Sequence, residues 1–263
     1  MVRTGNISDT TCFQLTLVEE FSLRHGGRQL ELPHMAERVL TYLALLDRPV
    51  ARSRLAGALW PGCADSCASK SLRTALWRLR RAQEALVQLE GDRLRLGPGV
   101  SVDLAELTGL ARRLIHDPGP EDLARVPLLL QRKELLPDWD EDWMIADREH
   151  YRLNRIMALE SAAQVLLERR QAGAALIAAS AVVQQEPLRE SSRRIVMQIH
   201  LSQGNEADAI REYRCYRDLL GAEFGAVPSS RMDDLLLPIR RRRYRHVRLA
   251  SVRALGAPGE TLR

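Results

Sequence analysis

The chain has 263 residues, enough for one large or two ordinary domains, and carries a formal charge of +5 at neutral pH. It shows no signal peptide and no apolar run long enough to span a bilayer, so the sequence argues against a membrane partner and reads as cytoplasmic, with Cys12, Cys63, Cys67 and Cys215 reduced. Of its basic residues only Lys70 and Lys133 are lysine; arginine, alanine and leucine usage of this kind follows a GC-rich genome, so the position of the charge says more than its sum.

Residues 1–11 are polar and aperiodic and read as a disordered tail. In CFQLTLVEEFSLRHGGRQLELP, apolar residues alternate at Phe13, Leu15 and Leu17, at Phe21 and Leu23, and at Leu30 and Leu32 beyond a Gly26-Gly27 turn, the period of short antiparallel strands. Three helical stretches follow: about 35–46, 52 to Trp60, and 69–86 after a loop at PGCADS.

The third stretch, SKSLRTALWRLRRAQEAL, carries five positive charges before its first acid. At about 100° per residue, Leu72, Ala75, Leu76, Leu79, Ala82 and Leu86 share one side, which must be buried. The opposite arc collects Lys70, Thr74, Trp77, Arg78 and Arg81, with Arg73 and Arg80 on a flank. A solvated helix face ordinarily mixes signs to gain i,i+4 pairs, and an exposed tryptophan gains nothing unless something covers it. The arc therefore reads as a recognition helix for double-stranded DNA.

Then LVQLEGDRLRLGPGVSVD gives strand-like runs about a turn at Gly91-Asp92, with Leu94 and Leu96 inward and Arg93 and Arg95 outward. Strands, three helices and a basic hairpin in this order fit a winged helix-turn-helix, whose third helix enters the major groove while the hairpin touches neighbouring backbone. On this reading Lys70, Arg73, Thr74 and Trp77 reach base edges, and Arg73 is the candidate for a guanine because its guanidinium can bond O6 and N7 together. Arg78, Arg80 and Arg81 hold phosphates, and Arg93 and Arg95 act through phosphates or the minor groove.

From Asp103 the pattern turns helical, through a composition break at HDPGPEDLARVP, an acidic stretch ELLPDWDEDWMIADRE and a long helix to about Arg170. Trp139 and Trp143 are expected to pack. Gly173 and Gly204 stand thirty-one residues apart, as do Ala178 and Ala209, which suggests helical hairpins of tetratricopeptide type. Gly204-Asn205 suits a turn, and Tyr213, Tyr216, Leu219 and Leu220 read as core. The tail brings together Arg240–Arg243, Arg245 and Arg248, a solvated basic segment or a secondary DNA contact. The reading is thus mainly α with a small β component: a tail 1–11, a winged-helix domain 12–102, an all-α tetratricopeptide-like domain 103–238 and a basic tail 239–263.

From about residue 12 to 238 the chain resembles the SARP class of bacterial transcriptional regulators, which join an OmpR-type winged helix to a bacterial transcriptional activator domain. The similar pieces are LAGALWP, SLRTALWRLRRA and VSVDL in the first half, and ELLPDWDEDW and QQEPLRESSRRIVMQIHLSQGNEADAIREYRCYRDLLGAEFGAVPS in the second. The resemblance implies an activator of secondary-metabolite gene clusters that binds direct repeats as a pair and recruits RNA polymerase holoenzyme. Two departures stand out. Ala51 occupies a position where the class often has a capping serine, which leaves Ser53 to supply the cap. Glu186-Pro187-Leu188 replaces the usual Asp-Pro-Leu.

Other chemistries find little footing. No phosphate-binding Gly-Lys-Ser/Thr loop, zincin helix or nucleophile elbow occurs, so the chain is read as a non-enzyme without cofactor or metal. Cys63 and Cys67 lack a second ligand pair for zinc, and Trp139 interrupts Asp138, Asp140, Glu141 and Asp142 where a calcium loop needs glycine. The rival reading is a protein-interaction adaptor whose winged helix does not bind DNA specifically. The sequence opens on the winged-helix strands without a receiver domain, so control is expected from expression level or a ligand of the helical domain, with no pocket signature.

Overall fold

A computed structural model describes residues 13–239 and Arg241. The tail 1–11 and, apart from Ile239 and Arg241, the basic tail 239–263 lie outside the described residues. The chain forms two compact units: residues up to Arg113 with Pro127–Arg155, and Leu114–Val126 with the residues from Ile156 onward.

The first unit opens on β1 (Phe13–Thr16), β2 (Ser22–His25) and β3 (Arg28–Gln29). β1 and β2 are antiparallel with Leu15 opposite Leu23, and the β2–β3 turn uses Gly26 and Gly27 at φ +54° and +79°, the two positive angles a tight hairpin turn needs. The alternation at Leu30 and Leu32 is not a strand; only the Leu30 amide continues the ladder, donating to Leu23. Helix α1 (His34–Leu46) buries Ala36, Val39, Leu40 and Leu43, an i,i+3,i+4,i+7 stripe, and stops at Asp47, which takes φ +45°. Strand β4 (Val50–Ala51) leads into α2 (Arg52–Leu59), and α3 (Asp65–Ala82) follows. Helices α1, α2 and α3 pack on one another.

Ala51 is the α2 N-cap and no side chain caps it, so the expected Ser53 cap is absent. Ser53 lies inside the helix, past the geometry a cap requires. Similarly, α3 begins at Asp65 within the expected PGCADS loop, with an acid in its first turn where the helix dipole favours one.

Strands β5 (Val87–Glu90) and β6 (Arg93–Leu96) form the hairpin and β4 adds to β6, while β7 (Val100–Val102) pairs parallel to β1, a pairing the alternation could not reveal. Gly97 between them is obligatory: its amide donates to the Leu86 carbonyl at 2.8 Å, and a Cβ there would lie 1.8 Å from the Ala85 carbonyl oxygen.

Beyond β1 the backbone of Leu17–Glu19 is paired from two distant segments. The Leu17 and Val18 amides donate to the two carboxylate oxygens of Asp103, at 2.8 and 3.2 Å. Leu136 donates to the Leu17 carbonyl at 3.0 Å and Glu19 to the Glu134 carbonyl at 2.8 Å, closing a bridge between Val18 and Leu135. Asp103 opens α4 (Asp103–His116); burial raises its carboxyl above the ordinary range against the lowering pull of these amides. The Arg148 guanidinium takes the Leu135, Leu136 and Trp139 carbonyls, and buried Arg155 donates to Leu129 at 2.6 Å. Trp139 stacks on Phe21, Trp143 leans on Tyr42, and Arg38 of α1 grips Glu141. The acidic stretch is therefore part of this unit.

The second unit contains α5 (Pro120–Ala124), most of α7 (Ile145–Glu168), α8 (Ala172–Gln185), α9 (Glu190–Ser202), α10 (Glu206–Phe224) and helical residues 230–239; α6 (Val126–Gln131) belongs almost wholly to the first. The repeat differs from the expected spacing of thirty-one. Gly173 lies inside α8, whereas the residue equivalent to Gly204 is Arg170, thirty-four positions earlier, and both have positive φ. The bonds match at the same spacing: Gln171 donates to Leu166 at 2.8 Å and Asn205 to His200 at 2.9 Å, the six-to-one bond of a Schellman ending. Ala175 and Ala209, fully buried, repeat in this register, which is the tetratricopeptide period. Arginine at the left-handed position hid the turn from a search for glycine. Tyr213 and Tyr216 are core with Met197, Met232 and Leu236.

Glu160 of α7 accepts Arg189 at both oxygens and the Ser191 and Ser192 hydroxyls. Burial pushes its carboxyl up, but these hydrogen bonds together outweigh burial and hold it below the usual glutamate range. The folded state therefore binds fewer protons here than the unfolded chain, so this contribution is complete above the ordinary glutamate value and is lost as pH falls through the folded one. Glu160→Gln should flatten the acid limb of a stability–pH curve measured by urea unfolding. Gly97→Ala should destabilise the first unit by on the order of 3 kcal/mol or more, read from the same unfolding curves.

Candidate nucleic-acid interface

The surface of α3 divides as the periodicity requires. Leu72, Ala75, Leu76 and Leu79 are buried and Ala82 is half-buried, while Leu86, in the short 3-10 turn after α3, is buried too. Lys70, Arg73, Thr74, Trp77, Arg78, Arg80 and Arg81 are all exposed. Among the described residues none of these cations is ion-paired, so the whole face presents uncompensated positive charge.

Trp77 is 51% exposed. Its ring is flanked by two guanidiniums, Arg78 at 5.1 Å and Arg81 at 5.4 Å from the centroid. Cation–π attraction of this kind, worth about 0.5–1 kcal/mol at an exposed site, fixes the indole without burying it. Thr74 donates its hydroxyl to the Lys70 carbonyl at 3.1 Å, so what it offers outward is an acceptor and its methyl.

The expected residues fall into two groups. Arg73, Trp77 and Arg80 line a concavity of about 140 Å³ between α3 and the hairpin, while Lys70, Thr74, Arg78 and Arg81 stand apart from it. Arg73, expected at base edges, and Arg80, expected at phosphates, thus border one groove. Arg52 lines it from α2, and Leu89 from β5. Sequence reasoning missed Arg52; the available signal was a cation at the first position of a helix with no acid nearby.

On the hairpin, Arg93 is exposed beside the Gly91-Asp92 turn and pairs in register with Glu90. Arg95 does not stand free as expected: it is half-buried and bonds Glu90 at 2.9 Å. Leu94 is buried as expected and Leu96 only half so. Cys63, in the turn before α3, and Cys67, in its first turn, are free and exposed.

Comparison with known proteins then gives two findings. Residues 122–240 match the family model of the bacterial transcriptional activator domain. Among solved structures, EmbR of Mycobacterium tuberculosis, determined in complex with a low-affinity phosphopeptide, superposes with a TM-score of 0.73 at 19% sequence identity. That match covers 88% of this chain and 66% of that one, so the chain spans just under two thirds of EmbR. No curated protein sequence matches. The described residues contain no helix long and apolar enough to cross a membrane.

The two faces of α3 should separate in denaturant unfolding. Leu72→Ala removes a buried anchor and should cost about 2–5 kcal/mol, whereas Trp77→Ala should stay within about 0.5 kcal/mol.

Proposed function

We propose that this chain is a SARP-class bacterial transcriptional regulator, a reading supported by the activator-domain match over residues 122–240 and by the fold shared with EmbR, and that it binds specific duplex DNA through α3 and activates transcription from those sites. The observation that carries the proposal is the α3 face: seven exposed residues, five of them cations without an ion-pair partner among the described residues, around a tryptophan that the fold leaves uncovered. A face of that kind suits a phosphate backbone flanking readable base edges.

In this proposal α3 lies in the major groove, docked on the body by Leu72, Leu76 and Leu79. Lys70, Arg73, Thr74 and Trp77 read bases, and Arg73 takes a guanine through O6 and N7. Arg78, Arg80 and Arg81 hold phosphates. Arg52 joins them, because it shares the groove with Arg73 and Arg80. Arg93 contacts backbone beside the hairpin, while Arg95, already bonded to Glu90, contributes less.

The class supplies the rest of the proposal. Two chains bind direct repeats side by side, RNA polymerase holoenzyme is the protein partner, and the regulated genes form a secondary-metabolite cluster. The domains we assign are a winged helix over 12–102, an activator domain over 103–238 and terminal tails at 1–11 and 239–263.

The test is selection of bound duplexes from a random pool with the full chain, repeated with Arg73→Ala at one salt concentration. An enriched direct repeat is expected, which Arg73→Ala blurs at one base with a loss of about 1–3 kcal/mol. Enrichment of no duplex above a salt-sensitive background would replace this reading with the adaptor one. Arg93→Ala should weaken all duplexes alike and lower the salt slope by roughly 0.9, and Arg95→Ala by less; a sequence-selective loss would contradict the phosphate role.

A further inference from the structure

The first unit holds a second concavity, of about 710 Å³, that the α3 face does not use. Its walls come from the C-terminal end of α1, the segment running from β6 into β7, one face of α4 and the first turns of α7. Pockets that hold small organic ligands span about 300–1,000 Å³ and combine an apolar lining with a few convergent polar groups. This one has that make-up.

The apolar part consists of Leu45, Leu96, Val100, Val102 and Leu104, each of them half-buried rather than closed over. These side chains come from four separate elements, so no local rearrangement of one loop covers them. The depth of the groove depends on α4. Ala105, Thr108, Gly109 and Arg112 follow at i, i+3, i+4 and i+7, hence along one face, and Gly109 sits in the middle of it. A Cβ at Gly109 would meet only the Arg113 guanidinium, at 3.6 Å, so the glycine is not required by backbone crowding. A helix-interior glycine costs about 1 kcal/mol relative to alanine, and what the position gains in return is open volume.

The polar part is asymmetric. Arg95 on the rim is neutralised by Glu90, but among the described residues no carboxylate pairs with Arg112, which is exposed at the end of the α4 face. Asp147 and His150 of α7 stand on the same lining. Burial raises the Asp147 carboxyl above the ordinary range, with the His150 charge pulling the other way. Asp47, also on the lining, is solvated. Arg112 is therefore the lining's one arginine without an ion pair among the described residues, and it shares the lining with the carboxylates of Asp47 and Asp147.

We propose that this groove is a binding site for a small organic anion, whose apolar body seats on Leu45, Val100, Val102 and Leu104 and whose acidic group meets Arg112. The ligand would touch the strand that carries the hairpin, but its binding is independent of whether α3 reads DNA.

The test uses 8-anilinonaphthalene-1-sulfonate, an aromatic body with one sulfonate, titrated into the full chain and followed by fluorescence and melting temperature. Saturable binding at a single site with a raised melting temperature is expected, because a ligand that binds only the folded state stabilises it. Gly109→Leu fills the middle of the α4 face with a residue favoured in helices, and should weaken the probe about tenfold or more. Arg112→Glu should weaken it about three- to tenfold. Phe224→Ser, which removes an exposed ring of the second unit, should leave the affinity unchanged. Equal affinity in wild type and Gly109→Leu would overturn the proposal, as would a melting temperature lowered by the probe. Loss of binding in Phe224→Ser with Gly109→Leu unaffected would do the same, by placing the probe on the other unit.

Discussion

The three residues after β1 present a problem that most of the first unit is arranged to solve. Leu17 and Val18 are fully buried, so their amides and carbonyls must be paired inside the protein. An unmet buried backbone group costs about 1–3 kcal/mol. Asp103 takes two of the amides from one side, and Glu134–Leu136 supply the facing carbonyl and amide from the other. Glu19, at φ +79°, is bent to fit, with its carboxylate accepting the Lys133 and Glu134 amides. Residues more than a hundred positions apart are thereby joined, and the chain between them is obliged to leave the unit and return.

What returns is the acidic, tryptophan-bearing stretch. Its charges read as a solvated face in the sequence, yet Glu141 is held by Arg38 and by the Trp143 indole, and Arg148 takes three carbonyls of the turn that carries it. Arg38 also donates to the Leu59 carbonyl at the end of α2 and lies over Trp60 at 5.6 Å. One arginine of α1 thus fastens both the helix that precedes α3 and the returning segment. The position of α3 is set by these contacts and by its own leucines, while its outward charges take no part. Leaving five cations unpaired on one helix is tolerable because they are solvated, where repulsion at a few ångströms amounts to about 1 kcal/mol or less per pair.

The second unit answers a different demand. Its helices bury large residues such as Leu159, Ile195, Met197 and Tyr216, and between them small ones such as Ala158, Ala162, Ala175 and Ala178 allow close approach. Polar bonds then fix the order of the helices. Glu160 holds the start of α9 through Arg189, Ser191 and Ser192, Arg193 joins Glu212 of α10, and Glu190 bonds Ser229 ahead of the last described helix. The Glu-Pro-Leu-Arg-Glu-Ser-Ser-Arg motif is therefore internal scaffolding of the second unit. Each of its charged members after Pro187 has a partner within the unit.

By itself the sequence determined what depends on local period. The burial of Leu72, Ala75, Leu76 and Leu79 and the exposure of the cations opposite them follow from 3.6 residues per turn, and the hairpin follows from alternation about Gly91-Asp92. The tertiary structure alone decided what depends on partners distant along the chain. The parallel pairing of β7 with β1, the return of residues 127–155 and the grouping of Arg52 with Arg73 and Arg80 leave no periodic trace. The repeat register lies between the two: its glycine is visible at 204, but at 170 an arginine adopts the same left-handed angle, because the hydrogen bonds of the turn override the residue's own preference.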